Sequence, residues 1–280
     1  MIELTGITWD HPRGYAPLLA HAEGAGVRVT WQRRSLKDFG DATLAELARR
    51  FDLIVLDHPH VGEAASGPLC ALDGLLSTAT LAELERQSAG PSFPSYRHAG
   101  HQWAVPVDAA CQVAAYRPDL LAASDLPQTW VEVYALASRL HARGLQVALA
   151  LCPTDSLCSF LTLAAQAGDA PHEDRWIRRE TVLTVLAQLR SLRAISHPGA
   201  VEWNPISVYE RMAAGDPIAY CPLAFGYTNY SRPALPAGRQ RLVFAGIPGQ
   251  ERHLLRAALP YAALMLLPGF GLAAALLLIY

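Results

Sequence analysis

The 280-residue sequence lacks the short motifs that mark the commonest catalytic sites. It contains no G-x-S-x-G turn, no P-loop, no H-E-x-x-H pair, and no G-x-G-x-x-G after its first predicted strand. Ser, His and Asp residues are present, but not at a spacing diagnostic of a nucleophile and its base. We therefore predict a protein that is not an enzyme and that has no cofactor and no bound metal.

An excess of basic charge is also lacking. The chain has 23 Lys and Arg residues against 25 Asp and Glu residues, and charged residues make up only 17% of it. This balance gives no basic surface of the kind that binds nucleic acid. The five cysteines show no C-x-x-C spacing, which excludes a dense disulfide framework and a zinc ribbon. The strand-like residues that follow Met1 leave no visible signal peptide.

Residues 257–280 lack charged side chains altogether. At about 1.5 Å per helical residue, this run is long enough to cross the ~30 Å apolar layer of a bilayer. Arg252 and Arg256 precede it, as is typical of a membrane-spanning helix. We predict such a helix within residues 250–280. The alternatives are a helix buried in a soluble core, which the interior prolines disfavour, and a processed or artefactual tail.

The first part of the sequence alternates predicted strands and helices. Strands are expected at residues 2–8, 27–32 and 51–57, and the last of these is continuously apolar. Thr43 and Glu46 form a capping box that opens a helix between the second and third strands. A continuously apolar strand is typical of a parallel sheet that is buried on both faces. This order predicts a doubly wound α/β lobe.

Later helices and strands indicate a second lobe. Thr129 and Glu132 cap a predicted helix, and Thr80 and Glu83 cap an earlier one. Ser207 and Glu210 cap a short helix that ends at Gly215. The extended run 103–116 contains a proline, so it is a poor central strand of a single sheet. A strand that crosses from one lobe to another fits this run better. Residues 218–221 and 241–247 are the final predicted strands.

Polar side chains follow the first and third predicted strands, at the sheet edge where open α/β proteins bind ligands. They are Trp9, Asp10, His11, Asp57, His58 and His60. The His-x-His pair would chelate a metal, contact a polar ligand or belong to a structural loop. The indole ring of Trp9 would either stack on the apolar face of a sugar or pack its loop onto the lobe. In a second segment rich in polar-tipped aromatic residues, the candidates are Trp203, Tyr220, Tyr227 and Asn229.

Five passages, taken in order, resemble the extracellular solute-binding proteins of ABC importers, specifically the sugar-type family. They are the opening strand, FDLIVLD, GHQWAVPVDAACQVAAYRPDLL, LPQTWVEVYALASRL and VYERMAAGDPIAYCPL. The resemblance covers residues 1 to about 248. It implies a type II periplasmic-binding-protein-like α/β fold, in which a carbohydrate or similar small polar solute is trapped between two lobes by hinge closure. It also implies ABC permease subunits as partners and a periplasmic or extracellular location.

Transferred residue by residue, the resemblance assigns ligand contacts to both lobes. Trp9, Asp10, His11, Asp57, His58 and His60 fall on the first lobe, Asp108 falls at the crossing, and Trp203, Tyr220, Tyr227 and Asn229 fall on the second. The implied boundaries are 1–107 and 108–240 for the lobes, 241–249 for a strand returning to the first lobe, and 250–280 for the apolar helix.

The sequence departs from that family at both ends. It has no export signal or lipoprotein cysteine, and it lacks the late helices that normally follow the strand at 241–247. Residues 252–280 instead resemble the first membrane helix of an ABC sugar permease, which leads us to expect a truncated or fused chain attached to the membrane through residues 257–280. Two other functions remain open. One is a metal-dependent hydrolase that uses His58 and His60, and the other is a membrane-tethered sensor.

Overall fold

The computed structural model describes most of the chain up to residue 249 and one strand near its end. The described residues are 1–24, 26–35, 43–56, 60–109, 111–171, 175–233, 235–249 and 275–278. They form two compact units that divide between Ala110 and Cys111, three residues after the predicted boundary. Residues 275–278 belong to the first unit.

Strands and helices alternate along the described chain. The strands are β1 (Ile2–Trp9), β2 (Glu23–Gly24), β3 (Val27–Arg34), β4 (Leu53–Leu56), β5 (Arg97–His98), β6 (His101–Gln102), β7 (Val105–Pro106), β8 (Gln112–Tyr116), β9 (Gln146–Val147), β10 (Ile218–Phe225), β11 (Val243–Ala245) and β12 (Ala275–Leu278). The helices are α1 (Pro12–Ala20), α2 (Leu44–Ala48), α3 (Val61–Ala64), α4 (Thr78–Gln87), α5 (Trp130–His141), α6 (Pro153–Gln166), α7 (Arg179–Ile195) and α8 (Pro205–Ala214).

The first unit is built on a sheet with the order β2-β3-β1-β4-β12-β7. β1 runs parallel to β3 and β4, which confirms the doubly wound start of the chain. All four residues of β4 are buried, as its continuous apolar sequence predicts. Gly6 lets β3 approach β1, since a Cβ at this position would lie 2.5 Å from the ring of Trp31.

The second unit is built on a mixed sheet with the order β11-β8-β10-β9. β10 pairs antiparallel with β8 and parallel with β9, and all eight of its residues are buried. Helices α5, α6 and α7 supply apolar side chains to the core around this sheet, among them Leu136, Leu161 and Val185.

Two predictions about the end of the chain are corrected by strand pairing. We expected residues 241–249 to return to the first lobe, but β11 pairs with β8 in the sheet of the second unit. We expected a helix over residues 257–280, but β12 is a strand that lies antiparallel between β4 and β7. The rest of that apolar run lies outside the described residues. No helix in the described part of the chain has the length and apolar character needed to span a bilayer.

The predicted helix caps are confirmed in part, and the cap predicted at Ser207 is wrong because Asn204 caps α8. Thr43 caps α2 and Thr129 caps α5, and each forms a complete capping box with the Glu three residues later. α8 ends at Gly215, whose φ of 100° is the left-handed conformation favoured at this position. The start of α4 was placed wrongly, because Ser77 rather than Thr80 accepts the capping hydrogen bond.

Candidate functional site

In the first unit, Trp9 lies at the carboxyl end of β1 but is fully buried. Its ring stacks on the imidazole of His11 with centroids 4.9 Å apart, and it packs among Val55, Leu18 and Trp31. Of the two roles considered for Trp9, the structure favours packing of the loop onto the sheet, because the ring is enclosed by these neighbours.

The two residues after Trp9 are more accessible. Asp10 is exposed, and its carboxylate lies 3.3 Å from Nη1 of Arg33. The backbone N–H of Asp10 donates to the carbonyl of Arg34, which fixes the loop to the end of β3. The side chain of His11 is half-buried against Trp9. Asp10 therefore presents a carboxylate to solvent at the expected sheet edge.

The His-x-His segment is only partly described. Asp57 and His58 lie outside the described residues. His60 is the N-cap residue that precedes α3, and its Nδ1 lies 3.6 Å from a carboxylate oxygen of Glu63. Asp108 is half-buried after β7. Within the described part of the chain, no three His, Cys, Asp or Glu side chains are arranged to hold a metal ion.

In the second unit, two predicted contact residues belong to packed clusters. Trp203 is almost fully buried, with its ring 4.4 Å from the His197 ring and the same distance from the guanidinium carbon of Arg211. Tyr220 lies in β10 within the main core, where burial raises its pKa far above the usual value. Neither side chain has a free ring face suited to stacking on a sugar.

The segment after β10 is a better candidate. Tyr227 packs edge-to-face on Tyr209, and Asn229 is half-buried in the following turn. The buried side-chain oxygens of Asn229 and Tyr209 have no hydrogen-bond partner among the described residues. Because an unsatisfied buried polar atom costs free energy, such atoms are candidate contacts for a ligand or an ordered water.

The structure adds a group of polar residues that we did not predict. Asp155, Ser159 and Thr162 lie on one face of α6 at spacings of four and three residues, and all three are buried. The Thr162 hydroxyl is hydrogen-bonded to the amide oxygen of Gln112 at the start of β8. In the described structure, Ser159 Oγ and Gln112 Nε2 have no hydrogen-bond partner.

Gln112 and Thr162 lie at one edge of the sheet, and Asp155 and Ser159 lie on the preceding turns of the same face of α6. Gln112 pairs with Phe225 at the carboxyl end of β10. β9 runs parallel to β10, and α6 follows β9 and brings Thr162 to Gln112 at this edge. The carboxyl ends of parallel strands are where open α/β sheets bind ligands. The regular spacing of Asp155, Ser159 and Thr162 was the available sequence signal, because it places polar groups on a helix face that is otherwise apolar.

Burial shifts the pKa values of the acidic groups at this edge upward. Burial raises the pKa of Asp155 to about 6, although the Cys152 thiol donates a hydrogen bond to its Oδ2 over 3.0 Å. Burial likewise raises the pKa of Cys152 to about 11 and that of Cys221 to about 12, so both thiols stay protonated and unreactive at neutral pH. The edge thus offers amide, hydroxyl and carboxyl groups, which suit a ligand that carries hydroxyl groups.

No protein-family model and no curated protein sequence matches this chain. Solved structures do match its fold. A solute-binding protein of an ABC transporter from Agrobacterium radiobacter K84, in complex with ribitol, is similar with a TM-score of 0.68 and 19% identity over 95% of this chain and 76% of that one. Maltose-bound MalE3 of T. maritima gives a TM-score of 0.67 and 15% identity over 95% and 77% of the two chains.

A third neighbour, an ABC transporter solute-binding protein from Thermotoga lettingae TMO with bound α-D-tagatose, gives a TM-score of 0.67 and 14% identity over 95% and 77% of the two chains. At these identities the likeness establishes the fold. The α/β fold of this chain is that of the solute-binding proteins of ABC transporters.

Proposed function

We propose that this chain is the non-catalytic substrate-binding component of an ABC importer and that it binds a carbohydrate or polyol. The observation that carries the proposal is the fold, which it shares with solute-binding proteins solved with ribitol, maltose and tagatose. As such a component it would act on the periplasmic or extracellular side of the membrane and deliver its ligand to permease subunits. Attachment through residues 257–280 is not part of the proposal, because β12 is a strand.

The polar edge of the second unit supports this choice of ligand. The Asp155 carboxyl group accepts hydrogen bonds from the hydroxyl groups of a polyol, and the Ser159 hydroxyl both donates and accepts them. Gln112 and Asn229 add an amide donor and an amide acceptor that lack partners among the described residues. We propose these four residues as contacts in the second unit, and Asp10, His11 and His60 with Asp57, His58 and Asp108 as contacts in the first.

The alternative of a metal-dependent hydrolase has less support. It requires His58 and His60 to be joined by further ligands, and the described residues contain no such group. The neighbours reported above are all binding proteins. Metal analysis of the purified chain together with an assay of glycoside and ester hydrolysis distinguishes the two functions, since stoichiometric zinc with turnover would contradict the binding function.

Thermal unfolding in the presence of ribitol, maltose, tagatose and related sugars tests the proposal. A ligand that binds only the folded state stabilises it by about 2.7 kcal/mol at a concentration of a hundred times Kd, so the midpoint of unfolding should rise with ligand concentration. Titration calorimetry of each hit should show saturable binding with one site per chain. If no sugar or polyol shifts the midpoint while a charged solute does, the ligand class is wrong.

Ser159→Ala tests the proposed edge. Removing one hydrogen bond of about 0.5–1.5 kcal/mol should weaken ligand binding about three- to tenfold, while stability stays equal or rises because a buried hydroxyl without a partner is removed. Ser191→Ala on α7 is the matched control, since its hydroxyl is exposed, donates to the Ala187 carbonyl and is not among the proposed contacts. Unchanged affinity in Ser159→Ala would remove Ser159 from the site without affecting the proposed function.

A further inference from the structure

Helix α7 has an outward face that mixes apolar and basic side chains. Leu183 and Leu186 are 56% and 46% exposed, and Trp176, three residues before the helix, is 63% exposed. Arg179, Arg190 and Arg193 are exposed at spacings that place them beside the two leucines on this outward face. We call these six residues the α7 face.

The opposite side of the helix explains why this face points outward. Thr181, Val185 and Leu192 are buried, and the last two belong to the core of the second unit. Their spacing matches the helical period, so the rotation of α7 about its own axis is fixed by the core. The exposed leucines therefore cannot turn inward without exposing Val185 and Leu192.

The charges on the α7 face are of one sign. In the described structure, Arg179, Arg190 and Arg193 form no ion pair, although many other arginines do. Glu180 borders the face, and its carboxylate lies 3.9 Å from Nε of Arg178. The same Arg178 nitrogen also forms an ion pair with the buried Asp169. The face consequently combines three exposed large apolar side chains with three arginines that have no acidic partner among the described residues.

We propose that the α7 face binds the surface of a lipid bilayer that carries anionic headgroups. Arginine side chains reach phosphate groups while their apolar stems and the adjacent Trp and Leu side chains enter the headgroup region. Helices that lie in the plane of a membrane surface also use basic side chains together with Trp and Leu side chains. Charge complementarity selects anionic over zwitterionic lipid, because each arginine near an anionic surface contributes about 1 kcal/mol.

The test is cosedimentation of the full chain with vesicles of phosphatidylcholine, with and without phosphatidylglycerol, at low ionic strength. We expect stronger binding to the anionic vesicles. Arg190→Gln with Arg193→Gln should weaken that binding about 30-fold, the equivalent of two arginines. Leu183→Gln with Leu186→Gln should weaken it at least about tenfold, because glutamine keeps the helix propensity but removes the apolar contact.

Arg49→Gln is the control, since it removes one exposed arginine from the first unit and should leave vesicle binding unchanged. Circular dichroism and thermal unfolding establish that each variant is folded. Equal binding to both kinds of vesicle would overturn the proposal, because binding would then not depend on the arginines. Wild-type binding by either double variant would overturn it too.

Discussion

At the scale of single residues, Trp9 shows how a predicted ligand contact can be a core residue. Its ring occupies the space beside Gly14, where a Cβ would lie 1.7 Å from the indole Nε1. The sequence offered both roles for Trp9, and neither composition nor spacing distinguishes them. The outcome depends on Leu18 and Trp31, which come from different elements and which pack around the ring. Such non-local contacts are not readable from a local motif.

Gly14→Ala tests that packing. The new methyl group forces the fully buried Trp9 ring to move, so we expect a loss of about 1–3 kcal/mol in the free energy of unfolding. Gly62→Ala in α3 is the matched control, because no atom lies within 4 Å of its added Cβ. The control should be neutral or stabilising by up to about 1 kcal/mol. Equal stability of the two variants in urea unfolding would contradict this description of the Trp9 site.

The raised pKa of Asp155 predicts that the free energy of unfolding depends on pH. Its pKa is about 6 in the folded protein and near 3.8 when unfolded, so the folded state binds this proton more tightly. Stability from this residue is therefore greatest at low pH and is lost as the pH rises from about 4 through about 6, by up to about 3 kcal/mol. Asp155→Asn should lack this loss and be more stable than the wild type at neutral pH.

The measurement is the free energy of unfolding of both proteins across that pH range. Other titrating groups are the same in both, so the difference between the two curves isolates Asp155. The difference should grow between about pH 4 and 6 and then stay constant. Parallel curves would mean that the carboxyl is not buried as described.

At the scale of helices and strands, sequence patterns predicted helix ends correctly where the end depends only on residues close to it in the chain. The capping boxes at Thr43 and Thr129 and the helix end at Gly215 were predicted correctly, because each depends on backbone groups within one turn. The polar face of α6 was missed because Asp155, Ser159 and Thr162 read as ordinary helix positions. Only the placement of that face against β8 and β10 makes them candidate ligand contacts.

Gly215→Ala probes one of these element ends. Its φ of 100° strains a residue that has a Cβ, so we expect a loss of about 1–2 kcal/mol in the free energy of unfolding. Gly74→Ala is the control, since that glycine has neither a positive φ nor an atom near its added Cβ. Chemical denaturation measures the free energy of unfolding of both variants. A loss of stability in Gly215→Ala alone agrees with a left-handed conformation at the end of α8, whereas equal losses in the two variants contradict it.

At the scale of the whole molecule, the order of strands and helices was predictable and the sheet membership of the last strands was not. The alternation of predicted elements leads directly to an α/β fold with two units. Which sheet β11 joins is decided by pairing with β8, more than a hundred residues earlier. β12 shows the same limit, because an uncharged run fits a membrane helix and a central strand equally well on hydropathy alone.

The position of β12 has a consequence for folding. The sheet of the second unit is assembled entirely from residues 112–245, whereas the first sheet joins β4 to β7 only through residues 275–278. Because closing long loops slows folding, the second unit should reach its native packing first. Each unit has three of the six tryptophans, so single-tryptophan variants reporting from Trp130 and from Trp103 can follow the two units in stopped-flow refolding. The fluorescence of Trp130 should change earlier than that of Trp103, and removal of residues 275–278 should alter the refolding signal of Trp103 while leaving that of Trp130 unchanged.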